Sequence, residues 1–235
     1  MKRALILALA ASALAFAASA QTPKPEYGVP SFDPAPKDKP NFSGKWLAPK
    51  PVGKLITADG KAPPLNDAGK KVYAERQAKL KAGDKTIDPN SQCMLQGEPR
   101  LMNTPYPMLI LQYGTHVDFV HQTNHTFRIV WFNDKLPDDP DPHWLGWPSA
   151  HWDGKTLVID STNFNGETWL DNSGLPHGDK LKVTERYTLD GKTIHGLITI
   201  ADPDFYTRPW TTRLTLAKQP GEDLVPTVCE VDHKM

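Results

Sequence analysis

The stretch Lys180-Leu181-Lys182-Val183-Thr184-Glu185-Arg186-Tyr187-Thr188-Leu189-Asp190-Gly191-Lys192-Thr193-Ile194-His195-Gly196-Leu197-Ile198-Thr199-Ile200-Ala201 decides the class of fold. Apolar and polar residues alternate on both arms, which is the period of a strand with one buried face. Asp190-Gly191 lies between the arms, and a tight hairpin turn favours such a pair. With the turn on these two residues, Leu189 stands opposite Lys192, Tyr187 opposite Ile194, Val183 opposite Ile198 and Leu181 opposite Ile200. Beyond Lys192 beside the turn, that face is apolar except at Glu185, which meets Gly196. Arg186, His195, Thr184, Thr188 and Thr193 take the wet face. The pattern therefore places one carboxylate on the buried side, across from a residue with no side chain.

Neighbouring segments repeat the alternation. A turn at Asp153-Gly154 groups Trp152, Ala150, Leu157 and Ile159 on one side and His151, Ser149, Val158 and Asp160 on the other, without deciding which side is inward. His116 to Gln122 and Thr126 to Phe132 join through Thr123-Asn124-His125. A three-residue loop there gathers Val117, Phe119, Phe127, Ile129 and Trp131 into a core face with His121 at its end, and sends Asp118 and Arg128 to the other face. Continuing in this way gives about ten strands, from Phe42 to Leu47 through Val225 to Val231. So many antiparallel strands close a barrel or stack as a barrel-like sandwich. The expected fold is mainly β, with one amphipathic helix from Asp67 to Lys81, capped by Asn66 and ended by Gly83.

The 235 residues carry 27 basic and 27 acidic side chains, a balance that argues against a nucleic-acid partner or an anionic membrane surface. Lys2 and Arg3 precede an apolar run to Phe16 that ends in Ala18-Ser19-Ala20, the pattern of a secretory signal peptide cleaved after Ala20. The run is too short to span a bilayer, so a periplasmic or secreted protein is expected. Ten of the 23 prolines lie between Pro23 and Pro64. Residues 21–64 therefore read as an extended arm with one short strand, and residues 65–235 as one barrel domain preceded by its helix. In an oxidising compartment Cys93 and Cys229 can pair, the other reading being two separately buried thiols.

Desolvation among Leu181, Val183, Tyr187, Ile194 and Ile198 raises the pKa of a carboxylate at Glu185 toward the range useful for proton transfer. The competing role is a structural carboxylate paired with Arg100, Arg128 or Arg213. His177, in the loop before the Glu185 strand, and His121 are the proton partners that chemistry at Glu185 would use. Arg100, Arg128, Asp171 and the flat rings of Trp144, Trp147 and Trp152 are the candidate ligand contacts, although tryptophans also fill a wide barrel. No metal site is expected: His121 and His125 are four apart, a spacing that converges only on a helix, and the acidic run Asp138 to Asp141 is broken by prolines. No cofactor motif appears.

Gly44-Lys45-Trp46 resembles the first-strand signature of lipocalins and related calycin barrels, which implies a lipocalin-like barrel with Arg208 or Arg213 covering the tryptophan. The run from Cys93 to the C-terminus is similar to a family of secreted bacterial proteins of unknown function. Pro99-Arg100-Leu101-Met102, Arg128-Ile129, Gly154 to Val158, Thr184-Glu185-Arg186 and Tyr206 to Trp210 carry that likeness, which implies no activity. The functional expectation is an exported barrel that binds a small aromatic or sugar-like compound. If catalytic, it is a lyase, isomerase or hydrolase working through Glu185 and a histidine. The alternative is a non-catalytic periplasmic carrier or carbohydrate-binding module.

Overall fold

The computed structural model describes residues 33–221, 223–225, 227 and 229. The signal-peptide segment and the first part of the proline-rich arm lie outside the described residues. Nine strands follow in chain order: β1 (Gly44–Leu47), β2 (Met108–Gln112), β3 (His116–His121), β4 (Phe127–Phe132), β5 (Trp147–Asp153), β6 (Thr156–Thr162), β7 (Lys182–Asp190), β8 (Thr193–Ala201) and β9 (Trp210–Gln219). Each pairs with the next, and β9 returns to β1, so the sheet closes into a barrel. The expected tenth strand does not form at Val225, Thr227 and Cys229, and the rest of its span is outside the described residues.

One seam departs from the expected antiparallel order. β4 and β5 run parallel through Trp131 with Ser149 and Phe132 with Ala150, because the connection 133–146 carries the chain back along the barrel before β5 starts. The registers then place the connections 48–107, 163–181 and 202–209 at one end, with the short β3–β4 loop beside them, while 133–146 runs from the other end back to this one. Tight hairpins occupy the other end, where the arm closes the opening: Phe42 N donates to Gln112 Oε1 at 2.9 Å and Lys39 Nζ to Gly154 O at 3.1 Å.

The two Asp-Gly hairpins turn one residue later than the sequence pattern suggests. Gly191-Lys192 and Gly154-Lys155 are the turns, so Asp190 pairs with Thr193 and Asp153 with Thr156. Only the glycine of each pair has positive φ, +56° at Gly191 and +60° at Gly154, as a turn with glycine in the first central position requires. The shift slides each pairing by two residues and leaves every side chain on its expected face. Ala150, Leu157 and Ile159 thus form the inward set of the first hairpin, with Trp152 packed against the core beside them.

The β3–β4 loop is different. His121 N donates to Thr126 O, which closes a four-residue loop at Gln122–His125 with Asn124 left-handed at φ 52°. One extra loop residue reverses the parity of β4. Phe119 now pairs with Arg128 and Val117 with Val130 on the inward face, while Ile129 joins Asp118 on the other face and Phe127 is left 67% exposed. The expected apolar core face on this strand is overturned, and a guanidinium enters the barrel in its place.

Helix α1 (Asp67–Lys81) starts at Asn66, whose side chain accepts from Gly69 N at 2.9 Å. It buries only Gly69, where a Cβ would lie 2.3 Å from Phe205 O, so the helix rests on the 202–209 connection. Among the described residues no helix is long and apolar enough to cross a membrane. Cys93 and Cys229 are disulfide-bonded across 136 residues of sequence, enclosing β2 to β9. In the chain-entropy account so long a loop contributes up to about 5 kcal/mol. Urea unfolding with and without reductant should show the midpoint falling on reduction, and Cys229→Ser should reproduce the fall.

Candidate functional site

Arg128 projects inward from β4 and organises the barrel interior. Its Nη2 donates to Glu185 Oε2 at 2.6 Å and to Ser161 Oγ at 2.8 Å, and its Nη1 to Glu98 Oε1 at 3.3 Å. Tyr187 Oη donates to the other Glu185 oxygen at 2.6 Å. Glu98, Arg128, Glu185 and Tyr187 are all buried. Glu185 is where the alternation puts it, but its surroundings differ. The register pairs Glu185 with Ile198 and Tyr187 with Gly196. The Tyr187 ring fills the space over that glycine, since a Cβ there would stand 3.0 Å from the ring and 3.1 Å from Leu214 Cβ. The gap expected across from Glu185 is therefore occupied.

One cation thus faces two carboxylates. Burial raises the Glu98 carboxyl to about 8, opposed by Arg128 and reinforced by Glu185. Geometry explains why Glu98 holds the proton: its contact with the guanidinium is single and longer, whereas both Glu185 oxygens accept short hydrogen bonds. Burial works against the charge on Arg128, but Glu185 and Glu98 outweigh it and raise its pKa. His121, at the inward end of β3, is pushed down to about 3 by burial and then by Arg128, so its imidazole is neutral. Glu98 Oε2, Arg128 Nε and His121 Nε2 are buried and have no hydrogen-bond partner among the described residues. A neutral carboxylic acid, a guanidinium N–H and a neutral imidazole nitrogen can together hold and exchange protons with a small polar group.

The remaining candidates are engaged elsewhere. His177 Nε2 lies 2.6 Å from Thr168 Oγ1 and its Nδ1 3.1 Å from Gly178 O, and burial lowers its pKa. These contacts hold it in the 163–181 connection, and none joins it to Glu185. Arg100 donates to both Asp88 oxygens at 2.8 and 2.6 Å and to Asn172 Oδ1 at 2.6 Å. Asp171 accepts from Leu55 N at 2.8 Å, Ser173 N at 2.9 Å and Leu175 N at 3.2 Å, tying two long connections together. The tryptophans form no common platform. Trp147 opens β5 beside His143, with Trp144 in the connection before it, whereas Trp152 lies at the far end of β5 against Phe42 and Phe132. Trp169 is buried between the guanidiniums of Arg76 and Arg100, 5.1 and 5.8 Å from its ring centre.

Glu98 is the site residue that sequence reasoning missed. It lies in a connection with no strand or helix period, and its only signal is an acid directly before Pro99-Arg100. The cover on Trp46 is also not the one expected. Trp46 donates from Nε1 to Phe42 O at 2.8 Å, and Lys218 Nζ lies 5.5 Å above its ring, so neither Arg208 nor Arg213 takes that place. Among the described residues no three His, Cys, Asp or Glu side chains gather as a metal site.

No protein-family model and no curated protein matches the chain. Among solved structures, the chain is similar to a mutant of the fluorescent protein UnaG, with 11% identity and a TM-score of 0.34 over 77% of this chain and 97% of that one. It is also similar to a secretary abundant heat soluble protein from Ramazzottius varieornatus, with 12% identity and a TM-score of 0.29 over 76% of this chain and 95% of that one.

The Glu98 proton gives stability a definite pH dependence. Its folded pKa of about 8 lies above the ordinary 4.5, so the folded state keeps a proton that the unfolded chain releases. Its contribution is complete below about pH 4.5 and declines as pH rises toward 8. Below about pH 6.5 the depressed His121 opposes this decline, so urea midpoints of the natural protein should fall with pH between about 6.5 and 8, and this part of the slope should vanish in Glu98→Gln. Arg128→Met, which leaves two buried carboxyls without their cation, should cost about 3–5 kcal/mol at pH 7.

Proposed function

We propose that the protein is an exported small-molecule-binding barrel whose ligand presents a polar group to Glu98, Arg128 and His121. The observation that carries this reading is the set of unmet hydrogen-bonding atoms around one guanidinium, Glu98 Oε2, Arg128 Nε and His121 Nε2. More than nine in ten buried polar groups are satisfied in folded proteins, so the unmet atoms on the paired Glu98 and Arg128 and on His121 support a polar guest that completes them. A small aromatic or sugar-like compound with a hydroxyl, carbonyl or carboxyl group supplies what they lack. The disulfide accords with export to an oxidising compartment, the setting expected from the N-terminal signal-peptide pattern.

In the catalytic form of this reading, Glu98 is the proton donor, because both oxygens of Glu185 are committed to Arg128 and Tyr187. Glu185 then acts as the anchor that orients the guanidinium. A lyase, isomerase or hydrolase step would deliver the Glu98 proton to one atom of the ligand, the Glu98 carboxylate then taking back the proton that the ligand or an attacking water releases, while neutral His121 orients the reacting group through Nε2. The carrier alternative uses the same contacts without proton transfer.

Native mass spectrometry against a defined panel of aromatic and sugar-derived compounds tests the reading. One class should form an adduct with the natural protein, and binding should weaken at least tenfold, about 1.4 kcal/mol, in His121→Phe without loss of thermal stability. Recovery of an altered compound that requires Glu98 marks catalysis, whereas recovery of the unaltered compound marks a carrier. A panel without adducts, or equal binding by the His121→Phe protein, overturns the interior site.

A further inference from the structure

The outer face of β9 carries a second set of polar groups that the interior cluster does not use. β1 covers β9 only from Ala217 to Gln219, so the edge of β9 from Trp210 to Leu216 lacks a β1 neighbour. The connection 48–61 runs beside that edge and touches it where Ala58 N donates to Thr211 O at 2.7 Å. Two clefts, of about 420 and 390 Å³, open between this connection and β9, and Arg213 borders both. Arg208 lies in the first and Lys50 in the second, so the groove formed by the first cleft holds two guanidiniums and the second cleft adjoins it at Arg213. Each cleft falls in the range of small-molecule sites, about 300–1,000 Å³.

The charges in this groove are unspent. Among the described residues Arg208 and Lys50 make no ion pair, and Arg213 has only a 3.5 Å contact from Nε to Ala58 O. Asp59, the acid in the lining, is matched by Lys61 at 2.8 Å. The hydroxyls of Thr199, Thr211 and Thr215 border the clefts and make no hydrogen bond among the described residues. Trp210 borders the first cleft, and its indole N–H is buried without an acceptor.

We infer that this groove binds an acidic saccharide chain, pairing its carboxylate, sulfate or phosphate groups with Arg208 and Arg213 and its hydroxyls with the threonines. Two guanidiniums on an otherwise charge-balanced chain fit a short acidic oligosaccharide, a few of whose anions they pair, better than a long polyanion such as DNA. The lining offers no exposed aromatic ring on which nucleic-acid bases stack. Its mixture of hydroxyl and guanidinium groups suits a polyol better than an acyl chain.

Titration calorimetry of the full mature chain separates the outcomes, with a heparin-derived oligosaccharide, oligogalacturonate, neutral dextran, inorganic phosphate and a short DNA strand as probes. The expected result is binding of one or both acidic saccharides, with dextran and phosphate at least tenfold weaker. Arg208→Ala/Arg213→Ala should lose at least tenfold and show a shallower salt dependence at unchanged melting temperature. Lys155→Ala/Lys192→Ala, at two hairpin tips, should change binding less than twofold. The inference is overturned if neither acidic saccharide binds, if the two arginines prove dispensable, or if phosphate, dextran or DNA binds as tightly as the saccharides. The arginine variant leaves the interior cluster intact, so this result is independent of the interior site.

Discussion

One guanidinium shared by two carboxyl groups in the middle of a closed sheet is the constraint on which the rest of the structure depends. Arg128 has to reach Glu185 on β7, Ser161 on β6 and Glu98 on a long connection at once. That requirement is met only if β4 is paired so that Arg128 faces inward, at the cost of leaving Phe127 in water. A buried ion cluster adds little net stability compared with apolar packing, because desolvation offsets most of the attraction. Its effect is on specificity: a slip of β4 by one residue would bury two carboxyls without their cation, so the competing register is penalised far more than the native one is rewarded.

The same constraint determines which carboxyl carries the proton. Arg128 and Tyr187 give their short hydrogen bonds to Glu185, which leaves Glu98 with one longer contact in a dry interior, and Glu98 keeps its proton. The Tyr187 hydroxyl reaches Glu185 because its ring lies over Gly196, where a larger residue would push it away. Pairing, packing and proton placement are thus one arrangement seen at three scales.

Around this centre, the end of the barrel that carries the long connections is braced by polar side chains in loops. Asp171 gathers backbone N–H groups from two connections, Arg100 joins Asp88 to Asn172 beside Trp169, and Asp202 Oδ2 accepts from Gly178 N at 2.7 Å. Residue types that suggest a ligand contact in sequence, such as a loop arginine, aspartate or histidine, are the same types that satisfy loop backbone groups in a folded barrel. His177, Arg100 and Asp171 have their hydrogen bonds filled in this way, whereas Arg128 Nε and His121 Nε2 have no partner among the described residues.

Alternation around Asp190-Gly191 and Asp153-Gly154 was enough to place Glu185 and Tyr187 inside and to group Ala150, Leu157 and Ile159, because strand parity survives a two-residue shift in the turn. Turn spacing and the Gly44-Lys45-Trp46 strand likewise pointed to a mainly β barrel or barrel-like sandwich with one outlying helix, and the closure of β9 onto β1 decided for the barrel. The β3–β4 parity was not legible, since one additional loop residue reverses it and loop length depends on which closing hydrogen bond forms. Glu98 could not be read at all, because residues in an aperiodic connection acquire an inside or an outside only when the rest of the chain surrounds them. Sequence by itself therefore determined the sheet and the faces of its best-marked strands. Tertiary structure alone decided which charges meet, because burial and pairing between distant residues have no local period to reveal them.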